Sequence, residues 1–253
     1  MSDRMRGMLR MFLILLFLFG LGVTLYPTLN GLAVDWQMHY DAQEFLSRVE
    51  VDPYVPPASG VIVLTPEDEP EPTLPEEYPE LWQAMKAHNA DLYASGQSGL
   101  TGKEAYETPS FSLKDHGIED GIFAVLNIPA LELEMPIYLG ASKKNMAAGA
   151  AVMGQTSIPI GGTNSNAIIA GHRGWNGAAY FLHIDRLKLE DEIILTNLWE
   201  ELHYRVVDIQ IIAPYEVEAI KIQPGRDLIT LLTCHPPATG GRQRYLVIAE
   251  RIT

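Results

Sequence analysis

Only one of the 253 residues is a cysteine, Cys234. A disulfide framework is thereby excluded, and the lone thiol is either a small buried hydrophobe or a reactive group. Outside the reducing cytosol a free thiol is open to oxidation, so its surroundings repay close reading. Positive charge is also scarce: 18 Lys and Arg stand against 32 Asp and Glu, a formal charge of −14. Nucleic-acid binding needs a basic footprint, which this composition does not supply. Cys234 and His235 adjoin, but without partner cysteines they fall short of a zinc pattern. No internal repeat is present.

Charge is missing altogether from Met11 to Val34. A helix of about 20 such residues spans the ~30 Å hydrocarbon core of a bilayer. Arg4, Arg6 and Arg10 precede the run, and Asp35, Asp41 and Glu44 follow it. The positive-inside bias then places residues 1–10 in the cytoplasm and the remainder outside. A cleaved signal peptide has a shorter apolar region, about 7–15 residues, and a small-residue cleavage site. Here the run leaves through Tyr26-Pro27-Thr28-Leu29-Asn30 with no Ala-x-Ala pattern, which favours a retained single-pass anchor over residues 11–34. No second run of that length follows, and the last residues resemble the end of a strand.

Residues 35–120 carry a juxtamembrane helical pattern from Val34 to Glu50, then an acidic, proline-rich stretch from Asp52 to Glu80 that reads as an extended, self-repelling stalk. Pro79 to Ser95 has amphipathic helical spacing (Leu81, Trp82, Met85, Leu92). From Gly121 to Thr253 the pattern turns to β. Short apolar runs cover Ile122–Ile128, Leu131–Tyr138, Asn166–Gly171, Glu192–Thr196, Leu202–Ile212, Asp227–Thr233 and Arg244–Glu250. Short helices are expected near Ser142–Met146 and Ala178–Ile184. Many short strands between Gly, Pro and Asn turns predict a mainly β barrel or sandwich.

Three segments carry chemistry. In Asp227-Leu-Ile-Thr-Leu-Leu-Thr-Cys234 an apolar strand delivers the sole thiol to its C-terminal end, held by the sheet yet at its rim. Nearby cations raise the reactive thiolate fraction of such a cysteine. In Asn166-Ala-Ile-Ile-Ala-Gly-His172-Arg-Gly a second β run ends at His172 between glycines. An imidazole placed there, with an ordinary pKa near 6.5, suits proton transfer. His39, His88, His116, His183 and His203 have no such setting, and His235 points away from the thiol if the strand geometry persists. In Gly240-Gly-Arg242-Gln-Arg244-Tyr-Leu-Val-Ile an arginine leads the final strand. Its guanidinium near the thiol would steady a developing oxyanion, whereas a surface arginine in a hairpin is the plainer reading.

In this order the three segments resemble the sortases. The likeness rests on Thr230-Leu-Leu-Thr-Cys234, Ala170-Gly-His-Arg-Gly174, the Arg-led last strand, Ile128-Pro129, Pro136-Ile-Tyr138 and Gly161-Gly162, and covers about Gly121 to Arg251. The resemblance implies an eight-stranded β-barrel and a cysteine transpeptidase using Cys234, His172 and Arg244. Cys234 would attack the Thr–Gly bond of a Leu-Pro-x-Thr-Gly-type sorting signal and form a thioester. His172 would protonate the leaving amine and deprotonate the incoming one, and Arg244 would stabilise the oxyanion. Thr233 and Arg242 would contact the substrate; Arg242 lies two residues before Arg244 and shares its face in a strand. The implied partners are sorting-signal-bearing surface or pilin proteins and an amine acceptor, either a pilin lysine or a cell-wall precursor, and the resemblance implies no metal and no organic cofactor.

Within the family the likeness leans to the pilin-polymerising class C. That class carries an Asp-Pro-aromatic lid; the matching place here reads Gly102-Lys-Glu104-Ala-Tyr106-Glu107, making Glu104 and Tyr106 the lid-like residues. Asp52-Pro53-Tyr54 spells the motif, but upstream of the stalk. A housekeeping enzyme that anchors proteins to the cell wall, a cysteine hydrolase and a catalytically silent membrane-tethered scaffold are the competing expectations.

Overall fold

In the computed structural model, residues 3–49, 51, 74–100 and 103–252 are described. Their core is a closed barrel of eight strands in the order β1-β2-β3-β4-β7-β8-β6-β5. The strands are β1 (Ile122–Ile128), β2 (Leu133–Leu139), β3 (Ala150–Val152), β4 (Ser165–Ala170), β5 (Glu192–Asn197), β6 (Glu201–Ile212), β7 (Asp227–His235) and β8 (Gln243–Arg251). Two neighbouring pairs are parallel, β2 with β3 and β4 with β7, and the others are antiparallel. The seven strands expected from the sequence are all present. The three-residue β3 is an addition: Ala150-Ala-Val is too short to show a period of two.

Side chains alternate across each strand, so β4, β7 and β8 contribute to two apolar clusters. Ala167, Ile169, Ile229, Leu231, Tyr245, Val247 and Ala249 belong to the main core. Their sequence neighbours Ile168, Ala170, Leu232 and Leu246 face a second cluster with Met153, Ile212 and Ile220. This second, outer face is the one that leads to Cys234.

Among the described residues four α-helices accompany the barrel: α1 (Asp3–Arg48), α2 (Pro79–Ala94), α3 (Lys103–Glu107) and α4 (Lys143–Ala148). α1 is long and apolar enough to cross a membrane. The apolar run and the juxtamembrane helical pattern, read separately from the sequence, form one continuous helix that runs on through Pro27. One missing backbone hydrogen bond is outweighed because the following turns bury Met38, Ala42 and Phe45 against the barrel. α2 buries Leu81, Met85 and Leu92, the spacing read from the sequence. The helix expected over Ala178–Ile184 does not form. That stretch is a turn followed by a single 3-10 turn at Ile184–Arg186, because Tyr180 takes a left-handed φ of 44°. The stalk residues 52–73, with Asp52-Pro53-Tyr54, lie outside the described residues.

Candidate active site

β7 and β8 are antiparallel neighbours, and their register sets Cys234 directly opposite Arg244. Cys234 is exposed and follows Leu232 on the outer face. The loop between the two strands folds back over them at Gly241. A Cβ built on Gly241 would lie 2.9 Å from Cys234 Sγ and 3.0 Å from Arg244 Nη1, so the sulfur and the guanidinium meet around one glycine. The same nitrogen donates to Gly241 O at 2.7 Å and Gln243 O at 3.0 Å, which fixes the fork's direction. Arg242 precedes the strand and is exposed.

His172 arrives through the parallel partner. The ladder of β4 and β7 ends at Ala170 opposite Leu232, and His172 and Cys234 each lie two residues further on. Two hydrogen bonds hold these ends in step: the Gly171 amide donates to Leu232 O at 3.0 Å, and Thr233 Oγ1 donates to Gly171 O at 2.7 Å. Gly171 has no room for a side chain, since a Cβ would strike the Phe181 ring at 2.5 Å. Thr233 itself is 1% exposed and belongs to the interior face. Its side chain clamps the two strand ends together.

The half-buried imidazole of His172 is framed by aromatics. Trp175 stacks on it with centroids 5.0 Å apart and planes 18° from parallel, and Tyr180 meets it edge-on at 5.6 Å. This burial pushes the imidazole pKa below its ordinary value, because the charged ring loses water. A neutral ring at pH 7 can accept a proton, and once protonated it is a stronger acid than free histidine.

Sequence reasoning passed over Trp175 and Tyr180, which no motif flags. It also passed over Arg173, whose side chain is 2% exposed, lies 3.0 Å from Asp185 Oδ2 and packs over the Tyr245 ring at 5.2 Å. Its contact with Tyr245, a residue of the main core, puts Arg173 on the interior face. His235 shares that face, 5.6 Å from the Tyr245 ring, as strand geometry predicts. His203 sits between Glu192 and Glu201 at 2.7 and 2.9 Å, a local side-chain contact that ties β5 to β6.

Of the lid-like residues, Tyr106 packs against the outer-face cluster of Met153, Ile168, Ala170 and Leu246. Its backbone oxygen accepts from Ala141 at 2.9 Å and Gly154 at 3.0 Å, which ties α3 to the barrel. The Glu104 side chain lies outside the described residues. Among the described residues, no cluster of His, Cys, Asp and Glu could hold a metal ion.

Comparison with known proteins decides the family. The sortase domain model matches residues 126–252, half of the chain. The chain belongs to the sortase family. Among characterised sortases, it is 28% identical to sortase A of Streptococcus agalactiae over 144 residues, 56% of each chain. It is 26% identical to sortase D of Bacillus subtilis over 175 residues, 68% of this chain and 83% of that one. The match to that sortase A thus spans little more than half of either protein. Solved structures agree on the fold. Sortase C1 of Streptococcus agalactiae, in complex with MTSET, superposes with a TM-score of 0.59 at 26% identity, covering 68% of this chain and 88% of that one. Clostridium perfringens sortase C, solved with the C-terminal cell wall sorting motif, gives 0.57 at 28% identity, covering 69% and 88%.

Proposed function

We propose that this sortase-family chain is a membrane-anchored cysteine transpeptidase in which Cys234, His172 and Arg244 act together on a Leu-Pro-x-Thr-Gly-type sorting signal. The observation that carries the reading is the shared position of Cys234 Sγ and Arg244 Nη1 around Gly241, at an exposed strand end. Cys234 Sγ adds to the threonine carbonyl carbon as a thiolate. The carbonyl π pair moves to oxygen, and the Arg244 guanidinium faces that developing negative charge. The tetrahedral species collapses as the C–N bond breaks. His172, in its protonated form, gives its proton to the departing glycine nitrogen and leaves a thioester. An incoming amine then adds to the thioester carbon and His172 takes its proton, expelling the thiolate. Ile168, Ala170 and Leu246, the apolar residues below Cys234 on the outer face, are buried and support the strand end that carries the thiol.

In this reading residues 1–10 are a cytoplasmic tail, 11–34 the membrane anchor, 35–120 a juxtamembrane helix, stalk and lid-like region, and 121–253 the extracytoplasmic catalytic barrel. The acceptor is a pilin lysine, in line with the solved sortase C structures that superpose, one of which is sortase C1 of GBS Pilus Island 1. Attachment to a cell-wall amine is the second reading, favoured by the likeness to sortases A and D. The full chain, reconstituted in nanodiscs, is incubated with a quenched sorting peptide and either a lysine-bearing pilin peptide or a cell-wall stem-peptide amine. Cleavage that requires Cys234, with product carrying the added amine, supports transpeptidation. Product unchanged by any amine indicates a hydrolase, and equal behaviour of wild type and Cys234→Ala indicates a silent scaffold.

A further inference from the structure

Trp175, which stacks on His172, opens a tight turn. Trp175 and Ala178 exchange backbone hydrogen bonds at 3.0 and 2.9 Å. The two residues between them, Asn176 and Gly177, hold φ of 49° and 88°. Asn-Gly is the pair that such a two-residue turn favours. The turn is seated on α1. Asn30 Nδ2 donates to Asn176 O at 2.9 Å. A Cβ on Gly31 would run into Gly177 O, and one on Gly177 into Pro27 O, so two backbones touch with nothing between them. A little further along the helix, the Ala179 amide donates to the Asp35 carboxyl. The next residue is Tyr180, edge-on to His172.

The position of this seat along α1 decides what surrounds the turn. The uncharged run starts at Met11, and at 1.5 Å per residue a hydrocarbon layer of about 30 Å is used up near residue 30. Asn30 and Gly31, the residues that hold the turn, therefore lie where hydrocarbon gives way to head groups. Around that level Trp175 is 50% exposed, and Leu29 and Leu32 are exposed too, with Trp36 exposed about a turn and a half further along the helix. Tryptophan and tyrosine settle at this boundary because one part of the ring is apolar and the other polar.

Resting on the reading of α1 as a membrane anchor, we propose that the turn 175–178 is a membrane-contact surface, with Trp175 lodged in the head-group layer of the bilayer that holds α1. The ring that frames His172 is then itself held by lipid, and the site opens at the level of the membrane surface. The occupant is the lipid interface; water or a protein partner on the turn would be a different arrangement.

Spin-label accessibility in the full chain tests this without any peptide chemistry. Cys234→Ala removes the native thiol, and a nitroxide is attached in turn at Gly20→Cys, Asn176→Cys and Tyr215→Cys in nanodiscs of phosphatidylcholine and phosphatidylglycerol. Tyr215, 93% exposed between β6 and β7, serves as the aqueous reference. The expected result is a ratio of oxygen to nickel-complex accessibility at 176 that is several-fold higher than at 215 and lower than at 20, as befits the head-group layer. A ratio at 176 equal to that at 215 overturns the proposal, whether water or protein covers the turn. An aqueous ratio at 20 removes the anchor and the proposal with it. As a check free of strain in the turn, Trp175→Phe should reduce quenching of the chain's fluorescence by shallow brominated lipids; unchanged quenching contradicts it. Failure of the transpeptidation assay would leave these readings untouched, so the two claims fall separately.

Discussion

Cys234 and Arg244 are cross-strand partners on β7 and β8, with Gly241 wedged over both. That relationship makes Gly241 the most revealing position that is not itself reactive. Its φ of 77° is one that L residues rarely adopt, and an added Cβ would meet the sulfur and the guanidinium well inside van der Waals contact. Gly241→Ala should strain the loop by about 1–2 kcal/mol and displace the pair. Misplacement on the order of 1 Å can cost about 100-fold in rate. The expected outcome is a large fall in kcat/KM with a melting temperature lowered by only about 2–8 °C, checked by peptide kinetics and calorimetry on the same preparation.

Arg244→Lys keeps the charge but loses the planar fork that is anchored on Gly241 O and Gln243 O. Removal of a single oxyanion donor costs about 10²–10³ in kcat. Arg244→Ala and Arg244→Lys should both lose about that much, whereas Arg242→Ala, at an exposed residue before the strand, should act mainly on KM. Steady-state kinetics with one sorting peptide separates these outcomes.

The pH dependence follows from the aromatic frame of His172. Burial depresses the imidazole pKa from its usual 6.5. As the acid that protonates the leaving amine, His172 is charged only below its own pKa, so the limb it sets in the pH profile of kcat/KM lies on the acid side of 6.5. Trp175→Ala returns water to the ring, favours the charged form and should move that limb upward. A titration of the histidine by NMR in the Cys234→Ala protein checks the direction.

Much of this site was legible in the sequence, because it is made by strand ends. An apolar run that stops at Cys234, a second at Gly171-His172 and a third that begins at Arg244 are patterns of period two closed by glycine, and the barrel joins those ends. Sequence spacing does not reveal that β4 and β7 are parallel neighbours, and hence that Thr233 faces inward as a clamp. Nor does it reveal the framing of His172, since Trp175 and Tyr180 reach the ring through a left-handed turn instead of the expected helix. α1 shows the same limit: the apolar run and the juxtamembrane pattern read as two segments, yet tertiary contacts further along make them one helix.

Thr233 supplies a prediction about stability. Its buried hydroxyl holds Gly171 O at 2.7 Å, and Thr233→Val keeps the shape while leaving that carbonyl without its partner. A loss of about 1–3 kcal/mol is expected, read as a lower denaturation midpoint with unchanged slope in urea. Thr233→Ser should recover most of it.

Tyr106 tests the lid. Cys234 is exposed with α3 in place, so Tyr106→Ala should leave the rate of thiol labelling unchanged while altering KM through the outer-face cluster. A marked acceleration would mean that α3 shields the sulfur.

The most direct measurement is mass spectrometry of the full chain after brief exposure to a Leu-Pro-x-Thr-Gly peptide without added amine. The account predicts a mass gain equal to the fragment ending at threonine, located on the Cys234 peptide, sensitive to hydroxylamine and absent from Cys234→Ala. Cleavage of the peptide with no such adduct, or with the same yield in Cys234→Ala, would contradict it.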